Sequence, residues 1–395
     1  MRVLSVLAAL PRHPSFWNEL SDHPEVVWGA ILALVIVVLL TPAVGGMARL
    51  LGAVDEPGGR RLHARPIPRL GGLALFFGVM VPSLAFLKLT SETRGLLLGM
   101  AVATLVGAID DFRGLRPWEK LGGQIAAAII PVSFGIWIDH FTLPFVGVHG
   151  LSPWVGKPLT VAWIVAIMNM VNFLDGLDGL AAGVCAIAGG TFSVIALSLE
   201  KPNAAIVSAI VLGACIGFLR HNFYPARIFM GDSGAMLLGF VLATVAVEGL
   251  LKTAATVALT FPLIVLAVPI LDTGFVVARR LKYGQAPWRA DAQHLHYRFL
   301  SIGFSQRRAT VTIWLWCGTL AIAALGTRFL PIHEHGRWQA WPTVGAAALA
   351  ALAIGASVYV VYLLEIVKLA NPRIRRREAA ERRDAEGRER DRRTA

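Results

Sequence analysis

Eleven apolar runs, each close to or beyond the roughly 20 helical residues that a hydrocarbon core of about 30 Å requires, recur along nearly the whole of this 395-residue chain. They fall near 26–50, 71–89, 95–109, 121–138, 159–174, 179–199, 203–219, 233–250, 254–278, 310–327 and 341–367. At membrane depth every backbone N–H and C=O must find its partner within the protein, and a run of this length satisfies that demand only as a helix. The predicted fold class is therefore all-α, a polytopic membrane protein with about eleven transmembrane helices. Composition agrees, because 56% hydrophobic and only 16% charged residues do not describe a water-soluble domain.

The net charge of +12 would raise the question of nucleic acid in a soluble chain, but here the cations are bunched between apolar runs, the pattern of positive-inside loops. With eleven spans the termini lie on opposite sides. Placing the C-terminus inside puts 28 of the 37 Lys and Arg residues on the cytoplasmic side, and 17 against 9 when those from Lys368 onward are set aside. The N-terminus is thus expected outside and the C-terminus in the cytoplasm. Three segments are expected: a leader at 1–25, a transmembrane domain at 26–370, and a charged, solvated cytoplasmic tail at 371–395 in which Arg alternates with Glu and Asp. Cys185, Cys215 and Cys317 stand singly inside apolar runs and read as small buried hydrophobes, with neither a disulfide framework nor zinc-site spacing.

An aspartate at membrane depth costs about 2.5–3.5 kcal/mol on insertion scales, so the placement of the acids carries information. Of ten Asp residues outside the tail, eight (Asp55, Asp110, Asp111, Asp175, Asp178, Asp232, Asp272 and Asp291) fall in or beside the cytoplasmic loops. A polyanionic, metal-binding site facing the cytoplasm follows. Asp110-Asp111 end the third span, and adjacent carboxylates are tolerated where a divalent cation or a nearby Lys such as Lys120 offsets them. In Asn169-Met-Val-Asn172-Phe-Leu-Asp175-Gly-Leu-Asp178-Gly the polar groups at 172, 175 and 178 would line one side of a helix. Asp232, in Phe229-Met-Gly-Asp232-Ser-Gly, precedes a new span and is either an N-cap or a hard oxygen ligand for Mg²⁺, which takes one or two carboxylates plus substrate phosphate oxygens. Pro269-Ile-Leu-Asp272 ends the ninth span, and the long loop after it carries Asp291, His294, His296 and Arg298. Two histidines at i, i+2 do not share a helical face, so phosphate donation suits them better than zinc. Acids for a metal, cations for phosphates and apolar walls for a lipid meet at one leaflet, which is the requirement of phosphoryl transfer between a charged nucleotide and a membrane-bound acceptor. A secondary transporter would hold its ionisable groups near the midplane instead.

From Asp55 to Gly303 these segments resemble the polyprenyl-phosphate N-acetylhexosamine-1-phosphate transferases, and the DD and NFLDGLDG patterns are shared with the related phospho-MurNAc-pentapeptide transferases. The resemblance implies a bacterial plasma-membrane enzyme. It would transfer N-acetylhexosamine-1-phosphate, GlcNAc-1-phosphate above all, from a UDP-sugar to polyprenyl phosphate, releasing UMP. Its implied partners are UDP-N-acetylhexosamine, polyprenyl phosphate and the lipid bilayer, with a homodimer allowed and no nucleic acid. Its implied cofactor is Mg²⁺, with Mn²⁺ as a substitute. Carried onto this chain, the pattern makes Asp110, Asp111, Asp175 and Asp232 the catalytic acids. Asp232 would bind the metal with Asn172 as companion, and Asp178 and Phe229 would read and stack the uracil. His294, His296 and Arg298 would hold the pyrophosphate or sugar, and Lys120 would attract the acceptor phosphate. Tyr297 departs from the family's His-x-His-His continuation.

Overall fold

The computed structural model describes residues 16–56, 65–143, 147–251, 266–282, 295–330 and 337–370, together with 263, 333 and 334. In chain order the helices are α1 (Phe16–Asp22), α2 (Glu25–Leu50), α3 (Gly71–Phe86), α4 (Ser91–Arg113), α5 (Pro117–Ser133), α6 (Pro153–Leu174), α7 (Leu180–Ser198), α8 (Pro202–Asn222), α9 (Gly231–Val245), α10 (Ala267–Lys282), α11 (Leu295–Ser301), α12 (Gln306–Phe329) and α13 (Ala340–Ala370). A π-helical segment, Ala246–Leu251, prolongs α9. Among the described residues strands are confined to three antiparallel pairs, β1 (Val54–Asp55) with β2 (Ile67–Pro68), β3 (His140–Leu143) with β4 (Gly147–Gly150), and β5 (His333–Glu334) with β6 (Arg337–Trp338).

Among the described residues eight helices are long and apolar enough to cross a membrane, and the chain is an all-α polytopic membrane protein. The other three apolar runs are accounted for differently. Those at 71–89 and 121–138 form α3 and α5, of 16 and 17 residues. Only part of the 254–278 run is described: there α10 starts at Ala267 and continues through Asp272 to Lys282, so the helix does not end at Asp272. The short run at 95–109 grows into the 23-residue α4, with Thr90 as N-cap, its side chain accepting from Thr93 N, and Gly114 in the left-handed C-cap position.

α9 is the hub. It packs against α3, α4 and α6, and nearly all of its side chains are buried. α7 packs along α8, and α8 along α2. Small residues make this closeness feasible where lipid supplies no hydrophobic drive between helices: a Cβ on Gly189 of α7 would lie 2.8 Å from Ser208 O of α8. Polar side chains then fasten the seams, with Ser193 Oγ donating to Ala205 O at 2.9 Å and Trp163 Nε1 to Ala243 O at 3.1 Å. Pro42 inside α2 has no N–H for Val38 O one turn earlier, and His221 Nε2 of α8 donates to that carbonyl at 3.1 Å. At the opposite end of the bundle Arg328 of α12, 8% exposed, donates through Nε to Ser198 Oγ at 2.9 Å, neutralising the C-terminal end of α7. The cysteines are free and buried, as their sequence setting implied.

Alternating helix directions bring the C-termini of α4, α6 and α8 to the same end of the bundle as the N-termini of α3, α5, α7, α9 and α12. Every acid singled out from 110 to 232 lies on those ends.

Candidate active site

Lys120 is the centre of the cluster. One turn into α5, its Nζ lies 2.9 Å from Asp110 Oδ2 and 3.0 Å from Asp232 Oδ2 and donates to Asn172 Oδ1 at 3.3 Å. Asn172 in turn donates through Nδ2 to Asp232 Oδ1. Residues separated by 122 positions in sequence, from 110 to 232, thus converge on one ammonium. This is the juxtaposition that the sequence required and could not itself demonstrate.

The two adjacent aspartates do different work. Asp110 Oδ1 accepts from Leu115 N at 2.7 Å, closing its own helix end, while its other oxygen meets Lys120. Asp111 turns the other way and accepts from Asp232 N at 2.8 Å, Ser233 N at 3.0 Å and Ser233 Oγ at 2.8 Å. It therefore caps the first turn of α9 from outside, matching a carboxylate to the orphan N–H groups and the positive end of the helix. That answers the sequence alternative for Asp232, since the capping acid is Asp111 and the Asp232 carboxylate is spent on Lys120 and Asn172. Gly231 permits the close fit: it has φ +73°, and a Cβ there would lie 2.3 Å from Arg69 O and 2.5 Å from Asp111 Oδ2.

The Asn172, Asp175 and Asp178 arrangement is corrected. α6 stops at Leu174, Asp175 is its C-cap, and Gly179 (φ +74°) opens α7, so the three do not share one helical face. The intervening loop is held on several sides. Asp178 Oδ2 accepts from Ala226 N at 2.8 Å, Thr310 Oγ1 donates to Asp178 O at 3.3 Å, and Asn222 Oδ1 accepts from Gly179 N at 3.1 Å while its Nδ2 donates to Ile228 O at 2.9 Å. Asp178 is thereby tied to the segment that carries Phe229, whose own backbone donates to Pro68 O and accepts from Gly71 N. Burial, reinforced by the charges of Asp232 and Asp111, pushes the Asp175 carboxyl up to about 7.

His296 is 1% exposed and packs its ring over Gly176, where a Cβ would lie 2.2 Å from Nε2. The same short helix, α11, carries Arg298, and Asp272 Oδ1 accepts from Leu295 N at its start at 2.6 Å. Asp272 therefore supports α11. His294 and Asp291 lie outside the described residues. Sequence reading gave no role to Ser233, Thr310 and Asn222; their one signal was polarity at the ends of otherwise apolar runs.

From Leu121, the residue after Lys120, an apolar groove of about 570 Å³ runs along the seam of α5 and α6, lined among others by Ile125, Ile129, Val161, Ala162 and Val165.

A bundle of helices long and apolar enough to cross a membrane, with carboxylates, an amide and an ammonium gathered at one end beside an apolar groove, defines a polytopic membrane protein with a charged polar site. The chain belongs to glycosyl transferase family 4, whose profile matches residues 93–250. It is 38% identical over 303 residues to a Bacillus subtilis protein named "probable undecaprenyl-phosphate N-acetylglucosaminyl 1-phosphate transferase", covering 76% of this chain and 84% of that one. The decaprenyl-phosphate N-acetylglucosaminephosphotransferase of Mycobacterium leprae is 36% identical over 342 residues (79% and 86%). The phospho-N-acetylmuramoyl-pentapeptide-transferase of Desulforudis audaxviator is 35% identical over 296 residues (67% and 86%).

Proposed function

We propose that the protein transfers N-acetylhexosamine-1-phosphate, GlcNAc-1-phosphate in the first instance, from a UDP-sugar to polyprenyl phosphate, releasing UMP, as the first membrane step of cell-envelope polysaccharide synthesis. The observation that carries this reading is the convergence of Asp110, Asp232 and Asn172 oxygens on Lys120 where the apolar groove begins. The groove suits an isoprenoid tail, and Lys120 stands where the phosphate of that lipid would arrive. A phosphate monoester is mostly dianionic at pH 7, so its oxygen needs little help from a base to attack the sugar-bearing phosphorus as the bond to UMP breaks. Position and charge neutralisation then supply most of the rate. Asp178, fastened to the segment that carries Phe229, is assigned with Phe229 to the uridine, and His296, Arg298 and His294 to the pyrophosphate and sugar.

The donor set fits Mg²⁺. Among the described residues no group of three His, Cys, Asp or Glu forms an all-protein cage, but hard oxygens of Asp232 and Asn172 already meet at one cation, and Mg²⁺ commonly takes one or two carboxylates together with substrate phosphates. Asp232 and Asn172 would hold it, and it would supply charge neutralisation to the diphosphate. Charge bias of the loops supports a plasma-membrane orientation with the site in the cytoplasm.

Purified protein in detergent, given Mg²⁺, polyprenyl phosphate and each of several UDP-sugars, is expected to release UMP with a UDP-N-acetylhexosamine. Asp232→Asn is expected to abolish that release with folding intact, and wild-type turnover in this variant would remove Asp232 from the mechanism.

A further inference from the structure

Beneath the charged cluster lies a second polar contact that the proposed chemistry does not use. Gln124 of α5 and Asn169 of α6 exchange hydrogen bonds, Gln124 Nε2 donating to Asn169 Oδ1 at 3.2 Å and Asn169 Nδ2 to Gln124 Oε1 at 2.8 Å. The other hydrogen of Asn169 Nδ2 goes to Val165 O at 2.8 Å, within α6. Gln124 is 1% exposed, and its neighbours along α5 are apolar. A primary amide at such a site has no water to turn to, so it is placed there at a cost that only a partner offsets.

The spacing relates the pair to the site. Gln124 follows Lys120 by four residues on α5, and Asn169 precedes Asn172 by three on α6, so each amide stands about one turn deeper than the cluster member on its own helix. A slip of α5 along α6 by one turn, about 5.4 Å, would part both amide bonds. It would also carry Lys120 Nζ beyond reach of Asn172 Oδ1, from which it is now 3.3 Å. The reciprocal pairing tolerates one register only, and that register is the one in which the ammonium meets Asn172 and Asp232.

We propose that Gln124 and Asn169 are positioning residues for phosphoryl transfer: their reciprocal amide pair locks α5 against α6 and so holds the Lys120 ammonium between Asp110, Asn172 and Asp232. The proposal rests on the transferase reading above and adds to it residues that touch no substrate. The same seam forms the groove on its outer side, where Val165 and Ile125 are lining residues, so the lock also sets the groove wall next to the reacting phosphate.

The test uses the full-length protein in detergent. Gln124→Leu is expected to lower kcat between about 10- and 100-fold, the scale of an ångström-sized misplacement, with KM for the UDP-sugar little changed. The exchange Gln124→Asn with Asn169→Gln, which restores the amide pair with total length conserved, is expected to recover turnover. In a Lys120→Ala background Gln124→Leu should cost nothing further, because both act through one ammonium; additive losses would overturn the proposal by marking a general structural role. Should Gln124→Leu fail to fold, Gln124→Asn, one methylene shorter, carries the same expectations. A readout independent of turnover is acylation of Lys120 by a water-soluble amine reagent, measured by mass spectrometry against the exposed Lys157. It is expected to quicken when Gln124 is replaced, and unchanged labelling would overturn the lock. Wild-type protein that releases no UMP from any UDP-sugar would instead overturn the functional reading, with the labelling still deciding the role of the pair.

Discussion

Replacing Asp111 by alanine should damage the protein in a way that replacing Asp110 does not. The Asp111 carboxylate receives Asp232 N, Ser233 N and Ser233 Oγ, and without it two backbone donors at the start of the most buried helix lose their acceptor. Each buried unpaired donor costs roughly 1–3 kcal/mol, and loss of an N-cap alone is typically about 1 kcal/mol. Asp111→Ala is accordingly expected to destabilise by about 2–4 kcal/mol, a large share of the roughly 5–15 kcal/mol that holds a domain together. Asp110→Ala gives up Leu115 N and one of the three oxygens around Lys120, which keeps Asp232 and Asn172; about 1 kcal/mol is expected, together with loss of turnover. Unfolding in detergent micelles, followed by the fluorescence of the chain's 11 tryptophans, compares the two variants directly. Equal destabilisation by Asp110→Ala and Asp111→Ala, or none by the latter, would refute the division of labour drawn here between neighbouring carboxylates.

Gly176→Ala would set a Cβ 2.2 Å from His296 Nε2 and is expected to raise KM for the UDP-sugar about tenfold or more by displacing the α11 side chains; unchanged kinetics would detach His296 from the site. The Asp175 carboxyl, raised to about 7 in the folded protein from 3.8, retains a proton that the unfolded chain loses, so its contribution to stability falls as pH climbs from about 4 to about 7 and stays low above that. In EDTA at pH 8, Asp175→Asn should therefore melt higher than wild type, and the two should converge near pH 4. Ala162→Trp fills the groove and is expected to raise KM for polyprenyl phosphate while leaving that for the UDP-sugar unaltered, which acceptor chains of graded length would report.

Much of this was legible in the chain itself, for definable reasons. Hydropathy at the length of a bilayer announced a polytopic helical fold, and acids gathered in one set of loops announced that the C-termini of α4, α6 and α8 would meet the N-terminus of α9. What sequence spacing could not reveal was which way each side chain turns. Asp110 and Asp111 are indistinguishable as letters, yet one faces Lys120 and the other the α9 backbone. The i, i+3, i+6 series from Asn172 suggested a helical stripe, but α6 stops at Leu174 with Asp175 as its C-cap, and the loop gathers its polar atoms by tertiary bonds from Ala226, Asn222 and Thr310. Asp272 looked like another member of the acidic centre and instead supports α11 through Leu295 N. Gln124 lay in view, four residues from Lys120, and only its partner across the helix seam gives it meaning.

The enclosure of α9 has a consequence for how such an enzyme lives in its host membrane. Helices at the rim, such as α2 and α13 with their exposed Leu39, Leu352 and Ile354, meet lipid directly and can tilt when the bilayer thickens or thins. The helix bearing Asp232 touches protein on nearly every side, so such adjustments are absorbed before they reach it. Turnover should then be indifferent to the acyl-chain length of the surrounding phospholipid over a range in which the outer helices visibly reorient.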